Sequence, residues 1–203
     1  MDLNAQQQDL ELLDSVRNFT LEHRHPLVEG FKPAMRDWGT QWQATSADYL
    51  PVGDILATAV KRCDAASQKL VETFVRHNRR LHWEQSYRQQ DGLVADAMLA
   101  AYGFAEIIGL RGPFVSERIR AGIAIWGARI DYPPHRHQAE EIYLLLAGSA
   151  EFSFDNNAVQ TCRAGDVVYV ESNRRHGFRT TDESLVVFYL WQAGDLRQTS
   201  SFV

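Results

Sequence analysis

Tyr132-Pro133-Pro134-His135-Arg136-His137-Gln138-Ala139-Glu140-Glu141-Ile142-Tyr143 is the stretch that decides how this chain folds. Side chains alternate across an extended strand, so His135 and His137 project to one face. Each offers an imidazole nitrogen, and Glu141 adds a carboxylate oxygen. A further histidine, His176, stands behind the Gly165-Asp166 turn. A mixed nitrogen and oxygen donor set suits Fe, Mn, Zn, Ni or Co and argues against an all-oxygen calcium site. A single histidine here would read as core or surface filling. Four such groups in this order read as a metal site.

Outward from that segment the hydrophobic period is two. Ile119, Ile123 and Ile125 share one face of an alternating stretch, and Ile130 marks the next. Glu151-Phe152-Ser153-Phe154 alternates before Asp155-Asn156-Asn157, a hairpin signal. Val167 to Val170 follow the Ala164-Gly165-Asp166 turn, and Leu185 to Leu190 form a last apolar strand. Short strands at this density predict a sandwich or barrel. Residues 1–110 read differently. Leu10, Leu13, Val16 and Phe19 predict a helix from about Gln6 to His23. A second helix is expected to start at the N-cap Asp54, with Ile55, Ala59, Leu70, Phe74 and Leu81 on its face. A third is expected to open after Asp91-Gly92 and close at Gly109. The expected fold class is mainly β: a barrel over 111–203, preceded by an α-helical region over 1–110 that packs on it, since no polar linker divides them.

Charge and composition narrow the partners. A net charge of -5 gives nucleic acid no general electrostatic attraction. The basic run Arg76-His77-Asn78-Arg79-Arg80 reads as the solvated end of a helix. No apolar run approaches the roughly 20 residues of a bilayer span, and the N-terminus lacks the pattern of a secretion signal. Cys63 and Cys162 lie far apart in no metal or redox spacing, so a reducing, cytoplasmic setting is expected. The expected partner is a small molecule, with no nucleic acid and no membrane, on a monomer or homodimer.

The histidine segment resembles the first cupin motif: His135-x-His137, three residues, Glu141, six residues, Gly148. Its opening glycine is displaced, with seven residues between Gly127 and His135 where five are usual. Gly165, ten residues and His176 resemble the second motif, with Glu171, Asn173 and Thr180 at its usual Pro, Gly and Asn positions. The implied fold is the cupin double-stranded β-helix, a jelly-roll barrel. A narrower resemblance is to the cupin-type dimethylsulfoniopropionate (DMSP) lyases, the Q-type and L-type enzymes of marine bacteria. It is carried by Tyr132, by Ala139-Glu140-Glu141-Ile142-Tyr143, by Phe188-Tyr189-Leu190-Trp191, and by a helical half before the barrel.

That resemblance implies a zwitterionic substrate and a β-elimination giving acrylate and dimethyl sulfide. It implies one divalent transition metal per chain, Fe2+, Zn2+ or Mn2+, held by His137, Glu141 and His176 with Tyr143 as a further ligand. His135 is then another ligand or a partner behind the ligands. The base is expected to be a tyrosine, Tyr132 first and Tyr143 second, with a pKa brought down from about 10 by the nearby cation. A sulfonium accepts no hydrogen bond but is drawn to aromatic faces, which singles out Trp191 and Trp126, with Tyr132, as substrate-binding residues. Each of these also suits an ordinary core position. Trp38, Trp42, Tyr49, Trp83 and Tyr87 are expected to pack the helices, with a lid over the barrel mouth as the alternative. Two other readings compete: a dioxygenase, isomerase or decarboxylase on the same ligands, and a non-enzymatic small-molecule-binding cupin.

Overall fold

The computed structural model describes residues 3–36, 41–155, 158–198 and 200–202. Helix α1 (Leu3–Glu22) buries Leu12, Leu13, Val16 and Thr20, positions three or four apart that make one face. Two short helices follow, α2 (Pro26–Glu29) and α3 (Lys32–Arg36). The His25 ring caps α2 by accepting from the Leu27 amide, and Pro26 takes the first helical position, where no donor is needed. A two-residue strand, β1 (Gln41–Trp42), precedes the next helical stretch.

The expected second helix is broken in two, α4 (Ile55–Ala59) and α5 (Gln68–His77). Between them Cys63 leaves the helix to form a β-bridge with Ala147. Asp64 then accepts from the Ser67 amide at 2.8 Å, which restarts the helix. Asp54 makes no capping bond; its carboxylate serves Tyr49 and Arg79 instead. After β2 (Trp83–Glu84), the expected third helix survives only as α6 (Asp96–Ala100). Its remainder is a strand, β3 (Tyr102–Gly109), every residue of which is buried. A central position between β2 and β5 rewards such an aromatic and β-branched run more than local helix preference does.

The remaining strands are β4 (Phe114–Val115), β5 (Ile119–Trp126), β6 (Asp131–Arg136), β7 (Glu140–Ala147), β8 (Ser149–Phe154), β9 (Ala158–Arg163), β10 (Val167–Val170), β11 (His176–Thr180), β12 (Leu185–Gln192) and β13 (Ser201–Phe202). They form two facing sheets. One runs β1-β4-β3-β5-β12-β7-β10, with β2 also on β3, and the other β13-β6-β11-β8-β9. The expected hairpin joins β8 and β9, with Phe154 opposite Ala158. Its turn residues Asn156 and Asn157, like Trp38, lie outside the described residues.

The larger sheet has two apolar faces, and alternation sorts them. Ile119, Ala121, Ile123 and Ile125 of β5, with Val186, Phe188 and Leu190 of β12, join the cluster built with α1, α4 and α5. Trp126, Tyr143, Val187 and Tyr189 face the smaller sheet and the barrel interior. Helices α1, α4 and α5 therefore cover the outside of the barrel, while Met98 of α6 packs on the interior cluster. Trp83 is buried in the helical cluster and donates to Asn78, and Trp42 donates to Asp9 at 2.9 Å. Both tryptophans pack the helices. Among the described residues no helix is long and apolar enough to cross a membrane.

Candidate active site

Strands β6 and β11 of the smaller sheet and β7 of the larger bring the metal-ligand candidates together. His135 lies near the end of β6, and His137 follows just beyond it. Glu141 and Tyr143 stand on β7, and His176 opens β11 directly opposite His135. Ligand-capable nitrogens of His135, His137 and His176 all lie within 4.8 Å of one another. Glu141 Oε2 is 3.0 Å from His137 Nε2 and 3.7 Å from His176 Nε2. All four side chains are buried.

The hydrogen bonds behind these rings show what the cluster is built for. The Nδ1 atoms of His135, His137 and His176 each lie 2.9 Å from a backbone carbonyl, those of Pro133, Ala139 and Arg174. A carbonyl can only accept, so each Nδ1 donates its proton there and each ring turns its Nε2 into the cluster. His137 Nε2 meets a Glu141 carboxylate oxygen at 3.0 Å, a contact that a ring proton or a shared cation satisfies. His176 Nε2 is buried with no hydrogen-bond partner among the described residues. A cation between these atoms satisfies all of them, so the residues present fit a divalent metal.

Electrostatics agree. Burial alone would raise the Glu141 pKa, but the hydrogen bond with His137 and the neighbouring His176 imidazole outweigh it and hold the carboxyl well below the usual range. Burial, and then His176, push His135 down to about 3. The site therefore holds an anionic carboxylate beside a neutral imidazole, the protonation states a metal requires.

Beside the cluster lies a cavity of about 290 Å³, lined by His135, Glu141, Tyr132, Tyr143, Trp126 and Trp191 among others. Tyr132 packs its ring 4.7 Å from His135, and its hydroxyl is 3.2 Å from that of Tyr87. Tyr143 has its ring 6.4 Å from that of His176. Burial first, then neighbouring tyrosines for Tyr132 and Glu141 for Tyr143, raise both phenols well above their ordinary value. Trp126 stacks on Tyr102 at 5.2 Å, and Phe178 meets it edge-on at 4.8 Å. Trp191 stacks on His137 at 4.1 Å, so the candidate ligands, Tyr132, Tyr143, Trp126 and Trp191 come together around one cavity.

The DMSP lyase family model, described as dimethylsulfoniopropionate lyase, matches residues 37–187 of this chain. The chain belongs to the DMSP lyase family. DMSP lyase DddQ of Ruegeria pomeroyi is 32% identical over 178 residues, which cover 87% of this chain and 85% of that protein. A putative DMSP lyase, DddL, of Cereibacter sphaeroides is 28% identical over 134 residues, covering 65% of this chain and 54% of that protein. The crystal structure of R. pomeroyi DddQ matches with a TM-score of 0.83 at 25% identity, over 97% of this chain and 96% of that one. Another crystal structure, from a description of DMSP lyases RdDddP and RnDddQII, matches with a TM-score of 0.85 at 24% identity, over 98% and 99% of the two chains. The mainly β cupin barrel with a helical N-terminal portion is thus the fold of DMSP lyases.

Several cavity residues escape the motifs. Tyr102, Phe104 and Arg120 all line it, as do Glu84 and Gln85 from the helical half. Alternation carries a signal for Arg120: with Ile119, Ile123 and Ile125 on one face of β5, positions 120, 122, 124 and 126 take the other. Nothing comparable marks Glu84 or Gln85, which arrive through the β2–β3 pairing. His82, also from the helical half, is half-buried, with its Nδ1 3.0 Å from the Ser46 carbonyl oxygen.

Proposed function

We propose that this chain is a metal-dependent DMSP lyase, converting DMSP to acrylate and dimethyl sulfide by base-initiated β-elimination. The observation that carries the reading is the Glu141 carboxylate 3.0 Å from His137 Nε2, at the edge of a cavity lined by buried phenols that include Tyr132 and Tyr143. Membership of the DMSP lyase family supplies the substrate. His137, Glu141 and His176 would hold the ion, with Tyr143 and His135 as the further groups within reach. Fe2+, Zn2+ and Mn2+ are the candidate ions. Bound there, a divalent ion supplies a Lewis acid for the substrate carboxylate and positive charge that lowers the pKa of a nearby phenol.

The chain's own residues do the rest. Tyr132 or Tyr143, as phenolate, takes the proton from the carbon next to the carboxylate. The electron pair of that C–H bond becomes the carbon–carbon double bond. The bond from the β-carbon to sulfur breaks, its pair leaving on sulfur as neutral dimethyl sulfide. Acrylate remains, and the tyrosine passes its proton to water. Trp126 and Tyr132, with Tyr102 beside them, offer aromatic faces to the sulfonium. Tyr87, hydrogen-bonded to Tyr132, orients the phenol from the helical side. Two free thiols, Cys63 and Cys162, support the cytoplasmic setting, and a monomer or homodimer serves this site equally.

Incubation with DMSP under strict anaerobiosis tests the proposal. Equal amounts of acrylate and dimethyl sulfide are expected without oxygen. An oxygen requirement would point to a dioxygenase on the same ligands, and no product at all would remove the lyase reading. Substrate deuterated next to the carboxylate is expected to turn over more slowly. Whichever of Tyr132→Phe and Tyr143→Phe abolishes that turnover identifies the base.

A further inference from the structure

One side of the cavity is built of hydrogen-bond donors that the fold leaves unsatisfied. The Tyr189 hydroxyl and Trp191 Nε1 are both buried, both belong to residues lining the cavity, and neither atom has a partner among the described residues. Buried polar groups are rarely left so, and those that are ask for an occupant. Strand register shows where they stand. Trp191 of β12 is opposite Glu141 on β7 and Arg120 on β5, making one row across three strands. Tyr189 is opposite Tyr143 and Gly122 in the next row.

Arg120 is buried, with its guanidinium carbon 4.9 Å from the Trp191 ring. Its Nε donates to Glu106 at 2.7 Å, and Glu106 also accepts from the Arg111 and Gly112 amides at 2.7 and 3.1 Å. That ion pair has a structural account, since it ties β3 and β5 to the following loop. The Tyr189 and Trp191 donors have none. Burial, and then Glu106, keep the Tyr189 hydroxyl protonated and hence a donor. Gly122 leaves it room, because a Cβ there would lie 2.9 Å from the hydroxyl.

We infer that Tyr189 and Trp191, backed by the Arg120 guanidinium, form a carboxylate subsite that sets which way round the substrate lies. The anionic end turns to β12 and β5, beside Glu141 and its ion, and the cationic end to the Trp126–Tyr132 aromatic group. Trp191 then acts through its N–H edge, while Trp126 offers its ring. The orientation of DMSP rests on the lyase reading; the subsite itself does not.

Calorimetry on the metal-loaded protein separates the two ends with two probes, propionate for the carboxylate and ethyldimethylsulfonium for the cation. Tyr189→Phe removes one oxygen and keeps the ring. It is expected to weaken propionate about ten-fold, the scale of a hydrogen bond to a charged group, and to leave the sulfonium probe within about two-fold. The KM for DMSP should rise with it. Unchanged propionate affinity, no propionate binding to the wild type, or parallel loss of both probes would overturn the subsite. Should the wild type release no dimethyl sulfide while the probes still split, the subsite stands and only the lyase reading fails.

Discussion

At Glu141 a carboxylate faces the Nε2 atoms of two imidazoles whose Nδ1 protons are spent on backbone carbonyls, an arrangement that fits a divalent cation. Glu141→Gln keeps the shape and removes the charge, so it is expected to weaken metal affinity by 10-fold to 100-fold, on the order of what disturbing a metal site's supporting contacts costs. Competition with a chelating dye measures it. His135 adds a pH dependence. Its folded pKa is about 3, against about 6.5 in the unfolded chain. The unfolded chain therefore takes up a proton that the folded one refuses. The contribution of His135 to stability is complete above about pH 6.5 and is lost as pH falls toward 3. Metal-free protein should show a falling urea midpoint across that window, and His135→Asn should flatten the slope. The four ligand candidates were legible in sequence because two motifs fix their spacing. The orientation of their rings was not, because it depends on carbonyls at Pro133, Ala139 and Arg174 that no pattern reveals.

Strands β5 and β12 show what period-two reading captures and where it stops. Their outward residues meet the helices, with Phe188 fully buried and its ring 6.0 Å from that of Phe19. Phe188→Ala is expected to cost about 3–5 kcal/mol in chemical denaturation, as large cavities in packed cores do. Their inward residues make the cavity wall. At Gly122 a Cβ would lie 2.2 Å from the Ala105 carbonyl oxygen, a backbone atom on the neighbouring strand. Gly122→Ala should accordingly cost about 1–3 kcal/mol and loosen the β3–β5 pairing. Barrel strands after residue 110 were readable from alternation and turn residues. Tyr102–Gly109 was not, since all its residues, Glu106 included, are buried and no alternation of apolar and polar positions marks them. The break between α4 and α5 escaped for a related reason, as a bridge from Cys63 to Ala147 is a long-range event.

For the whole molecule, the helical half and the barrel are joined through one sheet, with β1 and β2 from the first hundred residues paired to β4 and β3. Gln85 ties the two parts by donating to the Leu99 and Tyr102 carbonyls, the latter at 2.7 Å. A ligand that binds only the folded state raises its stability by mass action. Metal-loaded protein should therefore melt higher than chelator-treated protein, and the gain should vanish in a His137→Ala, His176→Ala double variant. The family and its barrel were legible from about a dozen residues around His135. The cavity's second wall depends on how distant strands align, and only the assembled sheets disclose it. The most direct test of the account measures dimethyl sulfide in the headspace over purified protein and DMSP while bound metal is counted on the same sample. The account predicts release that rises in proportion to metal content, disappears on chelation and returns when a divalent ion is restored. Undiminished release from protein stripped of metal, or none from fully loaded protein, would contradict it.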